Sequence, residues 1–266
     1  MLYFQGFSFT PLYAACLAAS LGVVQALLSA PNIDPNLCAS VDYSPCLPLM
    51  LAMEPHVPTS ILTALLAHPR VDVNARDPSR SWSAIHFLAC RDHDTRHLEI
   101  LLTHPWIQIN CLTAFGSSAL HLAARSGAVS TLRLLLRPHL GADVNLLDAG
   151  GETSLHKACI GGHSQAVRLI CQEGVDSLDV NLRSPVTGHT PLHKACVAGW
   201  DMIVPSLLSH PRLDVAIQDW SGNTPLHLAV KNGHYPVARA LLQQEQLQGQ
   251  QQEELRTSSV INVNAR

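Results

Sequence analysis

One phrase recurs along this chain at a nearly fixed interval. Thr224-Pro225-Leu226-His227-Leu228-Ala229 is echoed by Thr190-Pro191-Leu192-His193-Lys194-Ala195, Thr153-Ser154-Leu155-His156-Lys157-Ala158 and Ser118-Ala119-Leu120-His121-Leu122-Ala123. Weaker copies begin at Ser83, Thr10 and Leu47, the last being the poorest, and the steps between starts are 37, 36, 35, 35, 37 and 34 residues. Self-similarity at this period predicts a stack of like supersecondary units, each hiding its apolar face against its neighbours. Such an architecture presents a long surface rather than one enclosed catalytic pocket.

The unit explains itself residue by residue. Thr or Ser suits a helix N-cap, where the hydroxyl accepts an orphan backbone N–H. Proline suits the first helical position, which has no N–H to lose. A short apolar helix then stops at Gly127, Gly162, Gly199 or Gly233, because glycine readily takes the left-handed conformation that ends a helix. A second helix follows with apolar residues at i, i+1, i+4 and i+5, as in Val23, Val24, Leu27, Leu28 and Ile203, Val204, Leu207, Leu208, which makes one apolar stripe. A turn glycine (Gly116, Gly151, Gly188, Gly222) precedes each of the last four helix starts by two residues and the helix-stop glycine by 11.

These residues resemble the ankyrin repeat family, whose pattern runs from a turn glycine through Thr-Pro-Leu-His, an alanine pair and Gly-His to Asp-Val-Asn. The resemblance implies an all-α solenoid of helix-turn-helix units joined by β-hairpin-like turns, with seven units starting near 10, 47, 83, 118, 153, 190 and 224. The first unit lacks the histidine and has Ala19 at the helix stop. The second has Met50 for the histidine and is crowded by Pro45, Pro48, Pro55 and Pro58, which puts its first helix in doubt. The repeat domain is expected over 7–266, with Met1–Gly6 set aside as the remnant of a protease-site tag. Both ends look cut, and residues 243–252, with seven glutamines, are expected to extend the last helix or loop out.

Composition narrows the function classes. Net charge is −3, charged residues make up 14%, and there is no basic run, so a nucleic-acid surface is not expected. The eight cysteines show no disulfide-framework spacing, and Cys16, Cys159 and Cys196 occupy a small-residue slot. A reducing, intracellular setting is expected, cytoplasmic with the nucleus left open. Thr10 to Ala30 is apolar and uncharged over 21 residues, long enough to span a bilayer. Its fit to the repeat favours a soluble reading, and its apolar face makes end-to-end association through the first repeat an expectation.

Motifs for catalysis are missing: no phosphate-cradling loop, nucleophile elbow or zinc-protease helix occurs. No catalytic residue, cofactor or metal site is expected. Cys90, His93 and His97 have the spacing of half a zinc site, but read better as a polar connector without a second ligand pair. In the resembled family the motif histidines His86, His121, His156, His193 and His227 tie neighbouring turns together. The asparagines of Asp-Val-Asn brace them, and in some members are hydroxylated by an asparaginyl hydroxylase. Asn74, Asn145 and Asn181 are the candidates, Asn74 best because Leu66 stands eight residues upstream.

The resemblance also implies a concave groove lined by turn tips and first-helix positions. At the tips stand Trp82, Phe115, Leu147, His189 and Trp220; on the first helices stand Arg91, Arg125, Ile160, Val197, Trp200 and Lys231. Exposed aromatics and arginine are typical of binding hot spots. The expected function is a non-catalytic scaffold for another protein or peptide. Alternatives are a regulatory segment of a larger enzyme or channel, or an atypical enzyme with chemistry in 31–60 or 90–97.

Overall fold

The computed structural model describes residues 2–4, 7–39, 46–92, 95–173, 177–244 and 246. Helices come in pairs. The first helices of successive units are α1 (Pro11–Leu17), α3 (Pro48–Leu51), α5 (Ala84–Ala89), α7 (Ala119–Ser126), α9 (Ser154–Gly161), α11 (Pro191–Ala198) and α13 (Pro225–Lys231). The second helices are α2 (Leu21–Ser29), α4 (Thr59–Leu66), α6 (Arg96–Leu102), α8 (Val129–Leu135), α10 (Ser164–Glu173), α12 (Val204–Leu208) and α14, residues 235–244. Each first helix packs on the next first helix, from α1 on α3 to α11 on α13, while α2 meets α4, α4 meets α6, α8 meets α10 and α10 meets α12. The expected all-α solenoid is present. Apart from it lies one antiparallel hairpin, β1 (Leu2–Phe4) with β2 (Phe7–Phe9), which takes in part of the segment set aside as a tag.

One large apolar cluster threads the stack from Leu12 to Leu241, with a smaller one at Cys46, Leu47 and Met50. Its largest fully buried side chains include Ile61, Leu62 and Leu65 of α4, Leu98 and Leu101 of α6, and Leu132 and Leu135 of α8. Each such side chain contributes on the order of 2 kcal/mol by leaving water. The stripe read from sequence is mostly the inward face of the second-helix layer, with Val23 of α2 left exposed.

Hydrogen bonds set the register of that greasy stack. In α7, α9 and α11 the cap hydroxyls of Ser118, Thr153 and Thr190 accept from the backbone N–H of His121, His156 and His193. Each imidazole Nδ1 accepts in return from the cap N–H. With Nδ1 accepting, Nε2 carries the proton and donates to the next unit: His86 to the Cys111 carbonyl at 3.0 Å, His121 to Glu152 at 2.9 Å, His156 to His189 at 3.0 Å and His193 to Asn223 at 3.1 Å. Asparagines make a parallel ladder. Asn36, Asn74, Asn110, Asn145 and Asn181 each donate to a carbonyl of the following unit, at Arg70, Trp106, Gly141, Ser177 and Arg212.

Gly127, Gly162 and Gly199 stop their helices at φ of 69–77°. Ala19 and Ser81 adopt the same left-handed backbone, at φ 51° and 53°, without being glycine. Both stand where the later units carry one. The doubtful first helix of the second unit does form, as the single turn α3, with Leu49, Met50 and Leu51 buried. One sequence expectation changes. Cys38 and Cys46 are joined in a disulfide across eight residues, a pairing that the cysteine spacing did not show. Thr10 to Ala30 breaks into α1 and α2, and among the described residues no helix is long and apolar enough to cross a membrane. The glutamine stretch beyond 246 lies outside the described residues.

Candidate partner-binding face

The hairpin turns form the upper edge of this face. Three of them are closed by an aspartate whose carboxylate accepts the turn's own backbone N–H groups: Asp77 from Ser79, Arg80 and Trp82, Asp148 from Gly150 and Glu152, Asp219 from Ser221 and Asn223; in the Phe115 turn the Thr113 hydroxyl accepts from the Ser117 N–H. Burial pushes the Asp77 and Asp219 carboxyls up, but these hydrogen bonds outweigh it and hold both below the ordinary value. Turn then bonds to turn: Ala114 N–H to the Arg80 carbonyl, Ala149 to Phe115 and Trp220 to Thr187. The tips are thus fixed in position before any partner arrives.

Below them runs a second line of cross-unit bonds, at the ends of α7, α9 and α11. His163 Nε2 donates to the Arg125 carbonyl at 2.9 Å, Trp200 Nε1 to Ile160 at 3.2 Å and His234 Nε2 to Val197 at 3.1 Å. The side chains of Arg125, Ile160 and Val197 stay exposed on a backbone locked from behind.

Several of the residues expected to grip a partner also make contacts within the protein. Trp82 is half-buried against Cys46, Leu47 and Met50. Arg91 makes a two-pronged ion pair with Glu54, at 2.9 and 3.1 Å, and lies 4.3 Å over the Phe87 ring. Trp200 stands at the position of His163 and His234 and packs on Gly162. Trp220 donates to the Pro185 carbonyl and stacks under Arg183 at 3.9 Å, yet keeps 59% of its surface exposed. His189 pairs with Asp219 at 3.4 Å and stacks on His193; burial, then the nearby Lys194 charge, lowers its pKa. Leu147 is half-buried. Phe115, at 70% exposure, Arg125, Ile160, Val197, Trp200 and Lys231 remain open.

Between two tips lies a concavity of about 420 Å³, lined by Phe115, Leu122, Arg125, Asp148 and Lys157 among others. Its floor holds a charge cluster that the sequence reading missed. Lys157 pairs with Asp148 at 2.7 Å and Glu152 at 2.6 Å, and Lys194 with Glu152 at 2.6 Å. Burial raises the Glu152 pKa, but the two lysines outweigh it and hold the carboxyl ionised. A signal was present: Lys157 and Lys194 follow the motif histidine where Leu122 and Leu228 stand in other units. His121 also lines the concavity, but both its ring nitrogens are engaged, so it is not poised as a base. In the cluster considered for zinc, Cys90 is exposed at the end of α5, His97 is buried in α6 and His93 lies outside the described residues. Among the described residues no three potential metal ligands come together.

Paired helices, hairpin turns and the two ladders define a helical repeat solenoid. A family model described as ankyrin repeats in three copies matches residues 49–148, 87–178, 139–212 and 176–252. The chain belongs to the ankyrin repeat family. No curated protein matches it.

Proposed function

We propose that this protein is a non-catalytic scaffold that grips a partner protein or peptide along the face formed by its turn tips and first helices. Ankyrin repeats are in general protein–protein interaction modules. The observation that carries the reading is the exposure of Phe115, Ile160 and Val197 beside Arg125 and Lys231 on backbone held by cross-unit hydrogen bonds. Apolar side chains exposed on rigid backbone are suited to binding, since little conformational freedom is lost on association.

The test uses peptides selected from a random display library against the folded protein. Phe115→Ala with Ile160→Ser is expected to weaken their binding at least tenfold while the thermal midpoint stays put. Unchanged affinity in that variant would reject this face. Trp82→Ala is a poor probe, because Trp82 packs on the Cys46 cluster and its loss disturbs the second unit.

A further inference from the structure

Arg125, Ile160, Val197 and Lys231 occupy one and the same position, seven residues after the helix cap, in four successive units. The pattern along the stack is therefore cation, apolar, apolar, cation. All four side chains are exposed. The carbonyls of Arg125, Ile160 and Val197 are each capped by a donor from the next unit, so the backbone under three of the four positions is held in place.

Lys157 and Lys194 are satisfied by Asp148 and Glu152, and Arg91 by Glu54. Arg125 and Lys231 have no carboxylate partner among the described residues. Asp201, beside Trp200, is exposed but stands outside the row of equivalent positions.

The first helices α7, α9, α11 and α13 pack directly on one another. Packed helices lie 8–10 Å apart, so three steps separate the two cations by roughly 24–30 Å. An extended chain advances about 3.3 Å per residue, which makes that gap roughly eight residues.

Resting on the groove reading above, we infer that the occupant is an extended peptide segment of a partner protein with carboxylates at both ends and an apolar middle of roughly eight residues. The acids meet Arg125 and Lys231, and the middle lies over Ile160 and Val197. Complementary charge sets the register and suppresses partners of the wrong sign.

Two fluorescent synthetic peptides test this: one with paired glutamates flanking eight mostly apolar residues, the other with paired lysines at the same places. Fluorescence anisotropy at low and moderate salt reads their binding to the wild type and to the double variant Arg125→Glu/Lys231→Glu. The glutamate peptide is expected to bind the wild type at least tenfold more tightly than the lysine peptide, with the preference reversed in the variant and narrowed by salt. Both positions are exposed, so circular dichroism melting is expected to be unchanged. A preference that survives the charge reversal, or its absence in the wild type, overturns the inference. If display-selected peptides still depend on Phe115 and Ile160 in that case, the groove reading stands and only the charge register falls. If they do not, both fall.

Discussion

The units starting near 10 and 47 and those starting near 118, 153, 190 and 224 reach the same backbone by different means. In the later group, Ser118, Thr153 and Thr190 cap their helices in reciprocal bonds with buried histidines that also reach the next turn. In the earlier group, Tyr13 and Met50 stand at the histidine position, both buried. A disulfide, the Trp82–Met50 cluster and the Arg91–Glu54 pair occupy the region where the second unit meets the third. Apolar burial is continuous through both groups. The comparison teaches that burial suffices to stack a unit, while the imidazole ladder fixes register and brings a titratable weakness with it.

Acid offers the hardest test of that difference. Burial chiefly lowers the pKa of His86 and His156 to about 4, and lowers those of His121 and His193. A depressed histidine pKa favours the neutral ring in the fold. The stability it brings is complete above the unfolded value of 6.5 and is lost as pH falls from there toward 4. That fall corresponds to on the order of 3 kcal/mol for each of His86 and His156. Hydrogen exchange between pH 6.5 and 4 is expected to open α5 to α11 while α1 to α4 stay protected. Opening of both ends at one pH would show the two groups to be a single cooperative block.

A substitution can carry the chemistry of the early group into the late one. His156→Met nearly preserves volume but strands the Thr153 N–H and the His189 carbonyl. Leaving such groups buried and unpaired costs roughly 2–3 kcal/mol, to be read from urea unfolding. A cost under about 0.5 kcal/mol would mean that the ladder adds nothing beyond packing.

The disulfide allows the converse experiment. Cys38→Ser/Cys46→Ser opens a short loop in the second unit, for an expected loss of about 2 kcal/mol. Exchange is expected to quicken in α3 and α4 and not in α9. A uniform change along the stack would show that the bond acts on the whole solenoid.

Much of this fold was legible in the sequence, and the reasons differ by residue. The paired glycines, the motif histidines and the Asp-Val-Asn asparagines have backbone jobs with fixed spacing, so period alone located them. Ala19 was visible as a departure from the helix-stop glycine. The face was less legible. Spacing assigned Trp82, Trp200 and Trp220 to outward positions, but an indole is long enough to reach back onto the preceding unit, and all three do. Lys157 and Lys194 interrupt a position that elsewhere holds leucine, yet their acid partners come from turns that only folding brings beneath them. The disulfide joins two parts of a connection that follows no repeat period, so nothing in the pattern could pair Cys38 with Cys46.

The smallest effect concerns the backbone itself. Ala19 at φ 51° and Ser81 at φ 53° hold a conformation that costs a residue with a Cβ on the order of 1 kcal/mol. Glycine at either place removes that cost, although it also loosens the unfolded chain and gives part of the gain back. Ala19→Gly and Ser81→Gly are each expected to raise stability by roughly 0.5–1 kcal/mol. The reverse change in the later group, Gly127→Ala, meets a second obstacle: a Cβ there would come 2.5 Å from Nδ1 of His163, the ring that holds the Arg125 carbonyl. Its cost is expected to exceed both gains. Thermal melting of the three variants decides the point. If Ala19→Gly and Ser81→Gly destabilise, these two left-handed slots are held by their side chains, and the first and third units share less backbone logic with the later group than their matching angles suggest.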